Sequence, residues 1–375
     1  MVDYVGLNWH VFIAVYSKHN PCCTALPGFD VMTIKSSMKE EITHKEETKL
    51  FFEVAPHVWG TKDIFVNMYM VQNPEDQSWV LIDTGLKSSA PKIKKMAAEL
   101  FGEDSRPNAI LLTHGHFDHT GSLKKLADEW DVPIYCHYLE LPYLSGRSAY
   151  PPGDSTVGGG LMAKVSWMYP KKPVNVENRL RILPPDGSIP FLPGWIYVNT
   201  PGHAPGHVSY FRQRDKVLIA GDAIVTTKQE SVMSVMLQKK RLSGPPKYFT
   251  YDWTAAGVSV KNLAELEPEI VASGHGQPMN GEEMRIALTN LSVHFDDLAV
   301  PRKGRYVDDP AVADAAGFKY IPPKPKDNTL LILTVGAVVA GAALAYLLMS
   351  GKEKKRRTLL QRLGEEYLPK KLRGA

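Results

Sequence analysis

The chain has 375 residues, 44% of them hydrophobic and 22% charged, which is an ordinary composition for a globular protein. This length accommodates one large α/β domain with an appendage, or two modest domains. Residues 351–375 hold nine Lys or Arg against three Glu, so the formal charge of +4 leaves −2 for the rest of the chain. A slightly acidic body argues against nucleic acid as a partner, and the three cysteines, interpreted as free thiols, exclude a disulfide framework.

The N-terminal residues 1–48 show no clear hydrophobic periodicity and are predicted to form a poorly ordered extension. Met32 and Met38 within it are alternative start residues. The apolar run 11–16 is short, and Asp3 stands where a signal peptide has basic residues. A folded domain is therefore expected to begin near residue 49.

Between residues 49 and 298 the pattern alternates between strands and helices. Strands are predicted at 50–54, 65–72, 79–82, 109–113, near Ile134, near Ile182, and at 195–199, 208–212, 216–220 and 269–271. Helices are predicted at 90–101, 118–130, 254–266 and 282–295. The strands come in two batches, each followed by helices, which indicates two sheets packed face to face with helices outside.

The C-terminal part is predicted to hold a Pro-rich linker, 299–328, a transmembrane helix, 329–350, and a basic tail, 351–375. Residues 330–349 run without a charge, which at helical rise matches a hydrocarbon core of about 30 Å. The sequence thus predicts a single-pass membrane protein. Four small residues on this segment are compatible with pairing of two copies as a homodimer, namely Gly336, Ala337, Gly341 and Ala345.

Membrane orientation is left open by two opposing features of the sequence. A basic tail predicts a cytosolic C-terminus, which would place the large domain across the membrane. The lack of a typical export signal favours a tail anchor inserted after synthesis, with the catalytic domain in the cytosol.

The run HGHFDH at residues 114–119 places three imidazoles and a carboxylate directly after a predicted strand. The alternation of an extended loop puts His114 and His116 on one side, and Asp118 and His119 follow where a helix begins. Such a cluster, in a chain with 12 histidines, has the spacing of metal ligands. The run is therefore interpreted as a metal site.

Four further segments place acidic or imidazole residues at or near the ends of predicted strands. Asp83 follows Leu81-Ile82, Asp222 follows a strand and Gly221, and His275 follows the strand 269–271. The fourth segment is TPGHAPGH at 200–207, which holds His203 and His207. Like the HGHFDH run, these segments place possible metal ligands at or near strand ends.

The order of these five motifs resembles the metallo-β-lactamase superfamily, over about residues 50–295. The resemblance implies an α/β fold, the αβ/βα four-layer sandwich, with a metal site at one edge between the sheets. It implies that His114, His116 and His203 hold one metal, that Asp118, His119 and His275 hold the other, and that Asp222 bridges them. Asp83 would orient a ligand imidazole, and His207 is expected to support the ligands rather than to be one.

Imidazole and carboxylate ligands suit two divalent metals, with zinc expected and iron or manganese as alternatives. The resemblance implies a hydrolase in which a metal-bridging hydroxide attacks a carbonyl carbon. Asp118 would be the catalytic residue that orients this nucleophile and takes up a proton.

The expected substrate is a small molecule, an ester, lactone or thioester. Two long segments rich in Met and aromatic residues, 141–174 and 228–253, favour an apolar pocket for acyl chains or lactones. His116 stands where the diiron flavoprotein branch has Glu, and the stretch from His207 to His275 has no room for a nuclease clamp domain. The alternatives are a mononuclear iron persulfide dioxygenase and a non-catalytic, membrane-anchored interaction module.

Overall fold

A computed structural model describes residues 50–325 of the chain. The predicted N-terminal extension (1–48), transmembrane helix (329–350) and basic tail (351–375) lie outside the described residues.

The first sheet has seven strands that lie side by side in chain order. They are β1 (Phe52–Ala55), β2 (Val58–Asp63), β3 (Val66–Gln72), β4 (Trp79–Ile82), β5 (Ala109–Leu111), β6 (Ile134–Cys136) and β7 (Leu180–Ile182). Strands β1 to β4 pair antiparallel, whereas β4 to β7 pair parallel. The carboxyl ends of β4 and β5 therefore meet at the same edge of this sheet.

The second sheet has five strands in the order β12-β11-β10-β9-β8. They are β8 (Trp195–Asn199), β9 (Val208–Arg212), β10 (Val217–Ile219), β11 (Ile270–Ala272) and β12 (Met279–Asn280). Only β10 and β11 pair parallel. A separate hairpin joins β13 (Val312–Asp314) to β14 (Gly317–Tyr320).

The described helices are mostly short. They are α1 (Ala90–Phe101), α2 (Phe117–Thr120), α3 (Leu123–Trp130), α4 (Leu141–Leu144), α5 (Leu161–Lys164), α6 (Val232–Met236), α7 (Trp253–Glu265), α8 (Gly281–Val293) and α9 (Phe295–Leu298). Four 3-10 turns lie at Tyr138–Glu140, Ser166–Met168, Glu177–Arg179 and Lys247–Phe249.

Three apolar cores separate four layers, in the order helix, sheet, sheet, helix. On β4, Leu81 packs with Ile93 of α1 in the outer core of the first sheet. Its neighbours Val80 and Ile82 point the other way and pack with Tyr210 of the second sheet. A third core lies between the second sheet and helices α7 and α8. This layering agrees with the predicted αβ/βα sandwich.

Two predicted elements differ from the structure. The helix expected at 118–130 is broken into α2 and α3, because the backbone turns at Gly121 and Ser122. A side chain at Gly121 would collide with the backbone of Leu86, so the close approach of this loop requires glycine.

The segment predicted as a linker, 299–328, is folded over most of its described length. Tyr306 is buried in a fourth apolar cluster, and Phe318 of β14 packs against it. Phe318 also lies 5.7 Å from the ring of Tyr143 and 6.3 Å from that of Tyr150. The Pro-rich composition gave no indication of this hairpin, because the aromatic residues that stabilise it are distant in the chain.

The prediction of a single-pass membrane location is wrong for the described part of the chain, since no helix within residues 50–325 is long and apolar enough to cross a membrane. The longest helices there have 13 residues, which is about 20 Å at helical rise against about 30 Å of hydrocarbon. The predicted span itself, 329–350, lies outside the described residues.

Replacement of Leu81 by alanine tests the layered core, because this side chain is fully buried between the first sheet and its helices. We expect a loss of about 2–5 kcal/mol in the free energy of unfolding, measured by urea denaturation. Ile286→Ala on the exposed face of α8 is the control and should change it by less than about 0.5 kcal/mol. Similar losses for the two variants would contradict the assignment of Leu81 to the core.

Candidate metal centre

The histidines and aspartates singled out in the sequence converge at one edge of the sandwich. Asp83 and residues 114–119 follow β4 and β5 of the first sheet, while Asp222 and His275 follow β10 and β11 of the second. His203 lies in the turn between β8 and β9. Because the two sheets pack face to face, the carboxyl ends of these four strands bring side chains from both halves of the domain together.

The first cluster consists of His114, His116 and His203, which could hold a metal ion together. His116 Nδ1 lies 2.8 Å from His114 Nε2 and 2.9 Å from His203 Nε2. Burial lowers the pKa of each of these imidazoles, to about 3 for His203. All three are therefore neutral at physiological pH and offer nitrogen lone pairs.

The second cluster consists of Asp118, His119 and His275, whose donor atoms also lie close enough to share a metal. His275 Nε2 is 3.6 Å from Asp118 Oδ2. Both imidazoles have their other nitrogen occupied: His119 Nδ1 lies 2.8 Å from Asp83 Oδ2, and His275 Nδ1 lies 2.7 Å from the Phe65 carbonyl oxygen. These contacts fix the tautomers so that each Nε2 faces the cluster.

Asp222 lies between the two clusters. Its Oδ2 is 3.0 Å from His275 Nε2 and 3.4 Å from His203 Nε2, and its Oδ1 is 3.5 Å from His119 Nε2. One carboxylate thus contacts imidazoles of both clusters, and it also lies close enough to His114 and His119 to share a metal with them.

The charge balance of this edge calls for cations. Asp83, Asp118 and Asp222 are buried, and the ion pairs that the described residues give them are with histidines alone. Although burial disfavours the charged imidazole, the carboxylates of Asp222 and Asp83 raise the pKa of His119 well above its usual range. Burial likewise disfavours the Asp222 carboxylate, but His275 and His119 hold its pKa well below the usual range.

Two buried polar atoms at this point, His119 Nε2 and Asp222 Oδ1, have no hydrogen-bond partner within residues 50–325. A buried polar atom without a partner is costly, and a cation placed among these donors would remove that cost. The donor set of imidazoles and carboxylates suits zinc, iron or manganese. The residues present therefore fit divalent metal ions.

Asp83 is not in the metal clusters but holds parts of them in place. Its carboxylate accepts hydrogen bonds from the Thr113 backbone N–H at 2.9 Å and the Thr113 hydroxyl at 2.7 Å. It also contacts His119, so the residue before the HGHFDH run and a residue within it are tied to the same side chain. Asp83 thus contacts one predicted ligand, His119, and its role in orienting that imidazole stays a prediction.

His207 also supports the site from outside the clusters. Its Nε2 accepts the backbone N–H of Asp222 at 2.9 Å, and its Nδ1 lies 2.8 Å from the Thr200 hydroxyl. A Cβ on Gly221 would lie 2.6 Å from that Nε2, and the φ of this glycine is +54°. The close approach of His207 to the Asp222 turn thus requires glycine at position 221.

Glu140 is a fully buried residue that sequence reasoning missed. Its carboxylate accepts the Gly115 N–H at 2.9 Å and the Gly206 N–H at 2.8 Å, and the Tyr150 hydroxyl donates to it. It thereby links the HGHFDH loop to the turn that carries His203. No local motif could identify it, because its partners lie 25 and 66 residues away.

Two further supporting residues were also missed. The Asn67 side chain donates to the carbonyl oxygens of Ser273 at 2.9 Å and Gly276 at 2.6 Å, on either side of His275. The Tyr251 hydroxyl lies 3.3 Å from His116 Nε2 and donates to the Pro151 carbonyl oxygen at 3.2 Å. Both contacts depend on the folded chain and leave no signal in the local sequence.

A cavity of about 670 Å³ opens beside the first cluster and is lined by His116. Phe117, Tyr150 and Phe249 form aromatic parts of its wall. The segment 141–174 contributes much of the rest, whereas 228–253 contributes Phe249 alone to the lining. Met233 and Met236 of α6 are exposed instead. The cavity is therefore built largely from one of the two segments expected to form it.

Comparison with known proteins assigns the family. A model of the metallo-beta-lactamase superfamily matches residues 61–275, more than half of the chain, and the chain belongs to that superfamily.

The chain is similar to two curated proteins of Bacillus subtilis (strain 168). It is 46% identical over 242 residues to the one named "Probable metallo-hydrolase YflN", covering 64% of this chain and 92% of that protein. It is 29% identical over 212 residues to "Probable metallo-hydrolase YybB", covering 56% of this chain and 81% of that protein. The solved structure entitled "Crystal structure of TTHA1623 in a di-iron-bound form" is 28% identical, with coverage of 59% and 92% and a TM-score of 0.40.

The buried carboxyl group of Glu140 should make stability depend on pH. Burial raises its pKa to about 7 against the hydrogen bonds that lower it. Because the folded-state pKa lies above the unfolded value, this group favours folding fully below about pH 4.5, and that contribution is lost as pH rises through about 7. The Glu140→Gln variant has no ionisable group at this position and therefore lacks this pH-dependent contribution to the free energy of unfolding.

We expect the unfolding free energy of the wild type, relative to Glu140→Gln, to fall by about 3 kcal/mol between pH 4.5 and 8. Urea denaturation of both proteins across this range measures the difference. Glu177→Gln, an exposed substitution, is the control and should show no such trend. A constant difference between wild type and Glu140→Gln would contradict the assignment.

Proposed function

We propose that this chain is a binuclear metal-dependent hydrolase that cleaves a small ester, lactone or thioester. The observation that carries the proposal is the convergence of three buried carboxylates and five imidazoles at one edge of the sandwich, with the histidines as the partners of the acids. Membership of the metallo-beta-lactamase superfamily and the similarity to proteins named as metallo-hydrolases support it.

Each cluster described above would hold one divalent metal, with Asp222, which contacts imidazoles of both clusters, as an additional ligand. When bound, such metals lower the pKa of a coordinated water to about 7 and polarise a carbonyl oxygen. The protein fixes the ligand imidazoles through hydrogen bonds at their other ring nitrogen: His119 donates to Asp83, His275 donates to the Phe65 carbonyl oxygen, and His116 contacts the Tyr251 hydroxyl. The positions of the donors are thus set before a substrate arrives.

Asp118 is the proposed proton acceptor. Its side chain is 9% exposed, against 4% for Asp83 and 3% for Asp222, so it is the most exposed of the three acids. It stands in the first turn of α2, directly after the wall residue Phe117. From there its carboxylate can orient an attacking water and take up the proton that the water releases.

Asp118→Asn should lower kcat by at least about 100-fold, because the amide cannot accept the proton. Turnover is measured on a panel of p-nitrophenyl esters, lactones and thioesters, with circular dichroism to check the fold. Asp104→Asn, an exposed change of the same chemistry, should retain wild-type turnover. Turnover of Asp118→Asn close to that of the wild type would sink the role of Asp118 as proton acceptor.

Metal content tests the binuclear part of the proposal. Mass-spectrometric metal analysis of the purified protein should find two divalent metals per chain, and chelation should abolish hydrolysis until metal is restored. One iron per chain with oxygen consumption would support a persulfide dioxygenase instead. Absence of bound metal, together with absence of hydrolysis after metal addition, would favour a non-catalytic module.

A further inference from the structure

The cavity beside His116 has an uneven distribution of charge. Its lining includes three lysines, Lys87, Lys171 and Lys172, and contains neither Asp nor Glu. Two buried acids lie near this wall without lining it: Glu140 is fully enclosed beneath Gly115 and Tyr150, and Asp118, next to Phe117, is paired with His275 in the second cluster. An anion that enters the cavity therefore meets positive charge without a facing carboxylate.

The three lysines approach the cavity from different parts of the chain. Lys87 follows β4, in the loop that also carries Asp83, whereas Lys171 and Lys172 end the long segment that lies between α4 and β7. All three are exposed. The lysine ion pairs within residues 50–325 belong to other residues, namely Lys94, Lys95, Lys124, Lys125, Lys216 and Lys319.

The remaining wall of the cavity is mainly apolar. Leu86, Phe117, Val174 and Phe249 belong to it, and the ring of Phe249 lies 4.8 Å from that of His116. At about 670 Å³ the cavity has the size of a small-molecule site. An aliphatic or aromatic body would fill this space, with one end at the metal centre and the other near the lysines.

We propose that the substrate of this hydrolase is an anionic amphiphile, an ester or thioester whose apolar body carries a carboxylate, phosphate or sulfonate group. The lysines attract and pair with the anion, while the apolar body is buried against the aromatic wall. The scissile carbonyl would then lie beside His116. This inference rests on the proposed hydrolase function and adds the charge of the substrate to it.

Two fluorescent dyes with the same aromatic body test the anion preference without catalysis. They are 8-anilinonaphthalene-1-sulfonate, which is anionic, and N-phenyl-1-naphthylamine, which is neutral. The ratio of their affinities should fall about tenfold in the triple variant K87Q/K171Q/K172Q, because three exposed ammonium groups no longer attract the sulfonate.

The matched control removes the same total charge from outside the cavity, in K239Q/K240Q/K261Q. This variant should leave the dye ratio unchanged. Val174→Trp, which places an indole in the cavity, should weaken binding of both dyes. An equal effect of the two triple variants on the dye ratio, or unchanged binding of both dyes in Val174→Trp, would overturn the proposal.

Hydrolysis of two matched esters separates this inference from the proposed function. We expect kcat/KM for mono-p-nitrophenyl adipate to exceed that for p-nitrophenyl hexanoate by about tenfold, and the ratio to fall to about one in K87Q/K171Q/K172Q. Equal hydrolysis of both esters by the wild type would overturn the anion preference alone. Anion-selective dye binding without hydrolysis of any ester, lactone or thioester in the metal-loaded protein would overturn the hydrolase function and leave the anion site standing.

Discussion

Three carboxylates buried among imidazoles are the constraint on which this structure depends. A buried charge is tolerated only when an opposite charge or several hydrogen bonds compensate it, and Asp83, Asp118 and Asp222 lie within reach of imidazoles rather than of lysine or arginine. Within residues 50–325, histidines are therefore the only side chains that form ion pairs with these three acids. The supporting hydrogen bonds hold these buried side chains in fixed positions.

The layered architecture explains how such an arrangement can be held. Its ligand loops begin where strands end, and the strands are fixed by side chains that alternate between two cores, as Leu81 and Ile82 do on β4. The loops are then tied to one another, because Glu140 joins the HGHFDH loop to the His203 turn and Asn67 holds both sides of His275. Rigid strands and cross-linked loops together fix donor atoms from distant parts of the chain.

Much of this was predictable from sequence, and the rest was not, for physical reasons. The strand at 79–82 and the helix at 90–101 were predicted with their observed bounds, since their patterns are local and strong. The HGHFDH run predicted a metal site because the spacing of its histidines and aspartate is typical of metal ligands. Glu140 was missed because its partners are remote in the chain, and the hairpin at 312–320 because its packing on Tyr143 and Tyr150 is a tertiary effect. Composition alone suggested a linker there and a membrane location, and neither prediction holds for the described residues.

The hairpin formed by β13 and β14 lies beyond residues 61–275, the part of the chain that the family model matches. Its Phe318 nevertheless packs on Tyr150, which lines the cavity and donates to Glu140 behind the metal loop. Mutations in this peripheral segment can therefore alter the shape of the cavity while every metal-facing side chain stays the same. A substitution at Phe318 would therefore reach the metal loop from outside residues 61–275, because Tyr150 connects this hairpin both to the cavity wall and to Glu140.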